Sequence, residues 1–339
     1  MSDKTPVTVL TGYLGAGKTT LLNRILSEPH GKKYAVIVNE FGEIGIDNDL
    51  VVGADEEVFE MNNGCICCTV RGDLIRIIDG LMRRKGKFDA IIIETTGLAD
   101  PAPVAQTFFV DDMVGKRTKL DAVVTVADAR WLKQQLADAP EAKNQIAFAD
   151  VILVNKTDLV APDQLREVEM RIRSINPYAK VHTTERCRVP LPDVLDRNAF
   201  DLDRILEIEP EFLVGNGHDH ADRNHDHHGH GHDHGLKHYH DEEMQSLSLK
   251  TGRPLDPDKF FPWVQDLVAK DGPNILRTKG ILSFKGDPAR FVFQGVHMIL
   301  DGDHQRPWAA DEERESRIIF IGRNLDQDKI RKGFESCVA

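Results

Sequence analysis

The sequence has little cysteine, no excess of basic charge and no long apolar run. Only five of its 339 residues are cysteine, and the formal net charge is −12. A nucleic-acid-binding protein needs a basic face for phosphate contacts, so this charge argues against that class and suits a protein that handles cations. No segment approaches the ~18 consecutive apolar residues of a membrane span, which argues against a transmembrane protein.

The opening stretch, MSDKTPVTVLTG, also lacks the basic segment and apolar core of a secretory signal. We therefore expect a cytoplasmic protein in a reducing compartment, where a structural disulfide is unfavourable. Cys187 and Cys337 stand alone in the sequence, and each is expected to be a small core or surface residue.

Continuously apolar, β-branched runs alternate with helix-like segments in the first two hundred residues. The runs cover 6–12, 34–40, 88–97, 120–129 and 150–158, and the helical segments cover 18–28, 69–85, 101–110, 130–148 and 162–175. Strands that are apolar on both faces are typical of a parallel sheet covered by helices. The pattern predicts an α/β fold with a doubly wound, mostly parallel sheet and ligands at the carboxyl ends of the strands.

The composition changes sharply at residues 218–240, which hold ten of the fourteen histidines among Asp and Gly. This tract has no apolar period and is interpreted as a flexible linker. Beyond it, strand-like segments at 246–250, 274–284, 290–302 and 316–323 and helical segments at 256–270 and 326–336 predict a smaller α+β domain with an antiparallel sheet. The predicted division is a P-loop domain over 1–206, a linker over 207–245 and a C-terminal domain over 246–339.

A phosphate-binding loop follows the first predicted strand, where GYLGAGKT fits the pattern G-x-x-x-x-G-K-[ST]. Glycines allow backbone N–H groups to surround phosphate oxygens, and the N-terminus of the following helix favours anions. Lys18 is expected to contact the β- and γ-phosphates, and the Thr19 hydroxyl is expected to bind Mg²⁺. The residues assigned to the nucleotide here are Gly12, Gly15, Ala16, Gly17, Lys18, Thr19 and Thr20.

The base of the nucleotide is addressed by Asn155, Lys156 and Asp158, which form N-K-x-D at the end of a predicted strand. A carboxylate there can accept both the ring N–H and the exocyclic amine of guanine, a pair that adenine does not offer. Asp158 could instead cap the following helix. The position about 140 residues after a phosphate loop favours a guanine nucleotide, and GTP is the predicted ligand.

Glu94 and Gly97 end another apolar run in IIIETTG. An acid at this place helps to hold Mg²⁺, and a glycine N–H faces the γ-phosphate. GTPases usually carry D-x-x-G here, and Glu replaces Asp in this chain. Lys18, Thr19 and Glu94 are assigned to catalysis together with Asp47. No residue is an obvious hydrolytic base, because Asp47, Asp100 and a nearby glutamate are all weak candidates, so slow intrinsic turnover is predicted.

Together these motifs and G-C-x-C-C at residues 64–68 resemble the CobW-type metallochaperone GTPases. The stretch VNEFGEIGID at 38–47, the histidine-rich linker and the smaller C-terminal domain are also similar to that family. The resemblance implies a protein that binds GTP with Mg²⁺, captures a transition metal and transfers it to a client protein when the nucleotide state changes.

Cys65, Cys67 and Cys68 occupy three of four consecutive positions next to a predicted helix that begins near Thr69. A helix N-terminus lowers a thiol pKa, and soft thiolate ligands select Zn²⁺ or another late transition ion such as Co²⁺. Adjacent cysteines strain a disulfide, and a buried apolar patch does not explain the clustering. We predict a labile metal site, with a water, a client residue or a carboxylate as the fourth ligand.

Glu40, Glu43 and Asp47 lie among glycines between the phosphate loop and the cysteines. A solvated acidic loop is one reading; the other is a switch that orders around Mg²⁺ and the γ-phosphate, with Glu40 as a metal ligand. The histidine tract is interpreted as a low-affinity collecting arm for metal, against the alternative of a polar spacer.

The sequence therefore predicts a GTP-dependent metal chaperone, with zinc favoured. The alternatives are a cobalt or iron chaperone that serves a cobalamin pathway or a metallohydratase, a nucleotide-gated zinc store, and a GTPase with redox-sensitive cysteines. A client metalloprotein is the expected partner, and the C-terminal domain is a candidate surface for that client or for self-association into a homo-oligomer.

Overall fold

The structure is a computed structural model, and it describes residues 4–29, 31–39, 57–61, 69–83, 88–199, 243–310 and 312–339. Two sheets organise this part of the chain, one parallel and one antiparallel.

The first sheet has seven strands in the order β3-β2-β4-β1-β5-β6-β7, and every neighbouring pair is parallel. The strands are β1 (Thr5–Thr11), β2 (Tyr34–Asn39), β3 (Glu57–Met61), β4 (Ala90–Glu94), β5 (Thr118–Asp128), β6 (Val151–Asn155) and β7 (Lys180–Thr183). Because all seven are parallel, their carboxyl ends meet at one edge. This arrangement confirms the predicted doubly wound α/β fold.

The sheet's crossovers contain seven helices within the described residues. They are α1 (Lys18–Ser27), α2 (Thr69–Arg83), α3 (Ala102–Val110), α4 (Asp112–Arg117), α5 (Leu132–Asp138), α6 (Pro140–Phe148) and α7 (Pro162–Ile175). The single helix predicted over 130–148 is wrong, because the structure has two helices there. Pro140 lacks an N–H donor and disfavours helical backbone at the residue before it, and Ala139 is extended, so Pro140 begins a new helix.

The two edge strands, β3 and β7, have no counterpart among the predicted strands. The sequence of β3, EVFEM, contains two glutamates, and β7 has only the four residues KVHT. Among the described strands each has a sheet neighbour on one side only, so neither requires the long apolar run that identified the inner strands. The G-C-x-C-C motif therefore follows the third strand instead of the second, and Glu94 ends the fourth strand instead of the third.

The second sheet has five antiparallel strands in the order β11-β10-β9-β12-β8. Its elements are β8 (Met244–Thr251), α8 (Pro257–Asp271), β9 (Ile275–Ser283), β10 (Ala289–Val296), β11 (Ile299–Pro307), β12 (Ser316–Arg323) and α9 (Gln327–Ser336). The predicted α+β character with an antiparallel sheet is confirmed. The single predicted strand over 290–302 is wrong, because the structure has most of a hairpin there, formed by β10 and β11.

Both faces of the antiparallel sheet are buried, as the alternation along β12 illustrates. Ile318 and Phe320 pack with α8 and α9, whereas Ile319 and Ile321 join the core of the parallel-sheet domain. A strand exposes successive side chains to opposite faces, so one strand contributes to both cores. The two sheets are therefore connected by a shared apolar layer.

The predicted domain division at 206 and 245 stays a prediction, and residues 200–242 lie outside the described part of the chain. No helix of the described residues has the length and apolar character needed to cross a membrane. Cys187 and Cys337 are both buried in apolar cores, in agreement with the interpretation of each as a small core residue.

Candidate functional site

The phosphate-loop segment, residues 12–17, runs from the end of β1 to the start of α1 at the carboxyl edge of the parallel sheet. Gly12 has a φ of 141°, and a Cβ on it would lie 2.2 Å from the carbonyl oxygen of Val126 in β5. Glycine is therefore required here by both the backbone conformation and the space available. Where the loop leaves β1, its backbone therefore packs directly against β5.

At the other end of the loop, Gly17 is the N-cap of α1 and has a φ of 117°. A Cβ on Gly17 would lie 2.6 Å from Nδ2 of Asn155. That nitrogen donates a hydrogen bond of 2.9 Å to the Ala16 carbonyl oxygen. The first residue of N-K-x-D therefore contacts the phosphate loop directly, as a binding site for one nucleotide requires.

Three side chains assigned to phosphate and Mg²⁺ lie together beside the loop. Lys18 is buried, and its Nζ donates to the Gly12 carbonyl oxygen at 2.9 Å, so the ammonium group lies within the loop. The Thr19 hydroxyl is 3.3 Å from Oε1 of the buried Glu94 at the end of β4. Mg²⁺ prefers oxygen ligands, and a hydroxyl and a carboxylate that converge next to a lysine fit that ion. The neighbouring Thr20 is exposed on α1.

Gly97 lies against the phosphate loop from the β4 side. A Cβ on Gly97 would be 2.6 Å from the backbone nitrogen of Leu14. Two residues earlier, Thr95 donates from its backbone N–H to the Leu10 carbonyl at 2.9 Å and from its hydroxyl to Thr11 Oγ1 at 2.9 Å. The chain after β4 is therefore held in contact with the end of β1. This is the position at which the sequence predicts that the Gly97 N–H faces a γ-phosphate.

Lys156 has a φ of 63°, and its ammonium group connects two parts of the site. Its Nζ donates to the Gly15 carbonyl oxygen at 2.7 Å and to Oδ2 of Asp128 at 2.6 Å. Asp128 ends β5 and is only 2 % exposed. Sequence analysis missed Asp128, although an acid at the end of a buried strand at the ligand edge was a signal for it.

Asp158 lies in a 3₁₀ turn over Thr157–Leu159, and its side chain is exposed. Helix α7 begins later, at Pro162 with Ala161 as its N-cap. The alternative that Asp158 caps this helix is therefore wrong. No described residue donates a hydrogen bond to its carboxylate, which leaves both oxygens available to a base.

The loop after β7 forms the floor of the site, and sequence analysis missed it. The backbone N–H of Cys187 donates to Asn155 Oδ1 at 2.9 Å, and the thiol lies 3.4 Å from the Gly17 carbonyl oxygen. Burial raises the pKa of Cys187 to about 11, despite the opposing charges of Arg24 and Lys156. Cys187 is fully buried and therefore packs as a neutral thiol beneath the phosphate loop.

Asp100, one of the three candidates for the hydrolytic base, has both carboxylate oxygens engaged. Oδ1 accepts from the Ala102 backbone N–H at 2.9 Å, and Oδ2 accepts from Asn144 Nδ2 at 2.7 Å. A base must accept a proton from water, so these bonds suit a structural role better.

The remaining candidates lie outside the described residues. They are Glu40, Glu43, Asp47, Cys65, Cys67, Cys68 and the histidine tract at 218–240. Within the residues that are described, no three His, Cys, Asp or Glu side chains are grouped so as to hold a metal ion.

Comparison with known protein families gives two matches that together span most of the chain. Residues 6–183 match the nucleotide-binding domain family CobW/HypB/UreG, and residues 244–338 match the cobalamin synthesis protein cobW C-terminal domain. The first match contains β1 to β7, and the second contains the antiparallel sheet with its two helices.

Full-length relatives have the same organisation. The zinc chaperone YjiA of Escherichia coli is 34% identical over 333 residues, covering 97% of each chain. The zinc-regulated GTPase metalloprotein activator 1 of Schizosaccharomyces pombe is 35% identical, covering 95% of this chain and 83% of the relative. The crystal structure of Zn(II)-bound YjiA GTPase from E. coli superposes with a TM-score of 0.74 at 30% identity and covers 99% of both chains. The chain belongs to the CobW/HypB/UreG family of nucleotide-binding proteins.

Proposed function

We propose that this chain is a GTPase that captures zinc at Cys65, Cys67 and Cys68 and delivers it to a client metalloprotein when GTP is hydrolysed. The observation that carries the proposal is the convergence of residues 12–19, 94–97 and 155–158 at one edge of the parallel sheet. Zinc is favoured because relatives that align over 95% or more of this chain are named zinc chaperone and zinc-regulated GTPase metalloprotein activator.

Each part of this edge has a role toward Mg²⁺-GTP. Backbone N–H groups of residues 12–17 surround the phosphates, and Lys18 neutralises charge on the β- and γ-phosphates. The N–H of Gly97 faces the γ-phosphate, and Asp158 accepts from the guanine ring N–H and amine. Thr19 and Glu94 would hold Mg²⁺, which neutralises charge that develops on the phosphate oxygens.

Hydrolysis requires a water molecule in line with the terminal phosphorus. Its oxygen bonds to phosphorus as the bond to the β–γ bridging oxygen breaks, and GDP leaves with the electron pair of that bond. Lys18 stabilises the charge on the leaving oxygens, and Asp47 is the proposed residue that orients the water. Slow intrinsic turnover stays a prediction, which is based on the lack of an obvious hydrolytic base in the sequence after Gly97.

Sheet register supports a link between the cysteines and the nucleotide. The last residues of β2 and β3, Asn39 and Met61, are paired, and Val38 is paired with Glu94 of β4. Strand β2 therefore lies between β3, after which the sequence carries the cysteines, and β4, which ends in Glu94, and Glu40 is the residue that follows β2 in the sequence. The Glu40 carboxylate is the proposed fourth zinc ligand, and a change in its position with nucleotide state would change zinc affinity.

The decisive test is zinc affinity in three nucleotide states: with a Mg²⁺-GTP analogue, with Mg²⁺-GDP and with no nucleotide. Competition against a chromophoric chelator measures both the affinity and the number of ions bound. The number of ions matters, because bound zinc need not lie at the cysteines. A triple mutant of the YjiA GTPase, with one glutamate and two cysteines replaced by alanine, also has a Zn(II)-bound structure. The same series with Co²⁺ distinguishes a zinc from a cobalt chaperone.

Two variants complete the test. One lacks residues 218–240, and the other combines that deletion with Cys65→Ala and Cys67→Ala. One tight zinc in the triphosphate state that survives the deletion and disappears with the cysteines supports the chaperone. Several ions that depend on the histidine tract and ignore the nucleotide would favour a store. Sensitivity to oxidant with indifference to chelators would favour a redox GTPase.

A further inference from the structure

The loop between β4 and α3, residues 95–101, carries Gly97, which packs directly against Leu14 of the phosphate loop. Even one added carbon on Gly97 would meet the Leu14 backbone nitrogen at 2.6 Å. The place of Gly97 relative to a γ-phosphate is therefore sensitive to small shifts. Contacts on the opposite side of the loop determine whether it can shift.

Those contacts come from two consecutive residues of α6, Asn144 and Gln145, which we call the loop clamp. Gln145 Nε2 donates to the carbonyl oxygens of Gly97 and Ala99, both at 3.1 Å. Asn144 Nδ2 donates to Asp100 Oδ2 at 2.7 Å. The clamp residues are 5 % and 1 % exposed, so water does not compete for these bonds. Such buried polar groups are costly to leave unpaired, which makes the bonds specific.

Helix α6 does not move freely relative to the sheet. Thr125 in β5 donates from its hydroxyl to the Gln145 carbonyl oxygen at 2.7 Å. Gln145 is therefore fixed by its backbone to the strand beside β1, while its side chain holds the loop. Gln145 is therefore placed to fix the position of the loop, and it does more than fill space in the core.

The other clamp residue is connected to the C-terminal domain. Arg323, the last residue of β12, donates from its guanidinium group to Asn144 Oδ1. The same Asn144 amide thus accepts from an arginine of one domain and donates to Asp100 in the loop. In this chain of hydrogen bonds a positive donor, an amide and a carboxylate are aligned, so each bond polarises and strengthens the next.

We propose that the loop clamp makes the preference for GTP over GDP depend on the position of the C-terminal domain. Asn144 and Gln145 are positioning residues for Gly97, and Arg323 transmits the position of β12 to them. The effect is specific to the triphosphate, because only GTP has the γ-phosphate that the Gly97 N–H faces. This inference rests on the proposed GTPase function and adds the site of its regulation.

Coupling between two sites is reciprocal. A partner that binds the C-terminal domain and displaces β12 would lower the affinity for GTP relative to GDP. Equally, GTP would change the affinity for that partner by the same factor. The C-terminal domain therefore reads the nucleotide state of a site that it does not itself form.

The test compares affinities for a non-hydrolysable Mg²⁺-GTP analogue and for Mg²⁺-GDP by calorimetry on the full-length protein. Gln145→Met keeps the length of the side chain and removes both donors. Arg323→Met removes the contact between domains. We expect each to weaken binding of the triphosphate about 10-fold, the lower range of typical coupling, with GDP affinity within about twofold of wild type.

Arg290→Met is the matched control, since Arg290 is a buried arginine of the same antiparallel sheet whose guanidinium group pairs with Glu312 of its own domain at 3.1 Å. It should leave the ratio of the two affinities unchanged. A double variant that restores GTP affinity adds a readout that a general loss of stability would not produce. Asn144→Asp faces Asp100 with a second carboxylate and should lower GTP affinity, whereas adding Asp100→Asn restores the donor–acceptor match and the affinity.

Equal effects on GTP and GDP, no effect of Arg323→Met, or a control variant that behaves like it would each overturn the proposed coupling and leave the GTPase function standing. Failure of the wild-type protein to bind either guanine nucleotide would overturn both the coupling and the proposed function. The wild-type measurement therefore separates the two failures before any variant is compared.

Discussion

At the scale of single residues, Asn155 connects three segments of the nucleotide site through one amide group. Its nitrogen donates to the Ala16 carbonyl, and its oxygen accepts from the Cys187 N–H at 2.9 Å and from the Thr184 hydroxyl at 3.2 Å. All these atoms are buried, so each bond lost would leave an unpaired polar group. Asn155 therefore builds the site and need not touch the nucleotide itself.

Asp158 has the opposite character, because its carboxylate is exposed and free to contact the base. Asp158→Asn replaces one acceptor with a donor, which mismatches the guanine amine and matches the C2 carbonyl of xanthine. We expect GTP affinity to fall about 100-fold, as for a hydrogen-bonding site with an unpaired group, and XTP affinity to rise. Fluorescent analogues of both nucleotides measure the exchange of specificity.

Asp163→Asn is the control for this prediction. Asp163 is an exposed acid in the first turn of α7 and makes an ion pair with Arg166. Its substitution removes the same charge from the same region, so both affinities should stay at the wild-type values. If Asp158→Asn changes neither affinity, Asp158 does not read the base.

At the scale of elements, the inner strands and most helices could be predicted from local patterns. Continuous apolar runs identify strands buried on both faces, and the glycine pattern of residues 12–17 reflects backbone conformations and close approaches that the structure contains. The short edge strands β3 and β7 were not predicted, since a strand with one neighbour in the described sheet needs no continuous apolar sequence. Pro140 was a local signal for the break between α5 and α6 and was overlooked.

Contacts between distant side chains could not be predicted from one sequence. Gln145 lies 48 residues from Gly97, and Arg323 lies 179 residues from Asn144. Nothing in the local pattern of α6 distinguishes these polar residues from solvent-facing ones. Their burial and their partners depend on the packing of three elements from two domains.

The turn between β10 and β11 illustrates an element whose stability depends on pH. His297 has a φ of 53° there, and its ring lies 5.6 Å from that of Phe148 at the end of α6. Burial lowers the pKa of His297, and the charge of Arg323 adds to this, whereas Asp100 and the Gly272 carbonyl oppose it. The folded protein therefore favours the neutral imidazole more than the unfolded chain does.

The sign of the effect follows from proton binding. Below about pH 6.5, the ordinary histidine pKa, the unfolded chain takes up a proton at His297 before the folded protein does. The free energy of unfolding should therefore decrease as the pH falls from 7.5 to 5.5. His297→Asn, which tolerates a positive φ, should show a smaller decrease in urea unfolding over the same range.

His182, whose pKa is also lowered by burial, is present in both proteins and cancels in this comparison. Parallel pH dependences for wild type and His297→Asn would contradict the prediction. A result of that kind would mean that the imidazole ionises equally well in the folded turn.

At the scale of the whole molecule, a buried group of charges joins the two domains on the side away from the nucleotide. Asp150, directly before β6, lies 2.6 Å from Arg277 and 3.1 Å from Lys279 of β9, and it also accepts from the Val123 N–H at 2.9 Å. Arg277 additionally donates to the Phe148 carbonyl oxygen at 3.2 Å. The Asp150 carboxylate thus contacts two cations at the interface. Its removal should therefore reduce stability more than the removal of either cation.

Asp150→Asn should destabilise the protein most, because it removes the carboxylate that both Arg277 and Lys279 contact; breaking a buried pair typically costs about 3–5 kcal/mol. Arg277→Met should cost less, since the pair of Asp150 and Lys279 persists. Lys143→Met removes a more exposed contact between the domains, that with Glu243 at 2.9 Å, and should cost about 1 kcal/mol or less. Urea unfolding of the three variants gives the order directly. Equal losses of unfolding free energy for Asp150→Asn and Lys143→Met would contradict this order. The apolar layer alone would then stabilise the interface, and the domains could shift around α6 without breaking charged contacts.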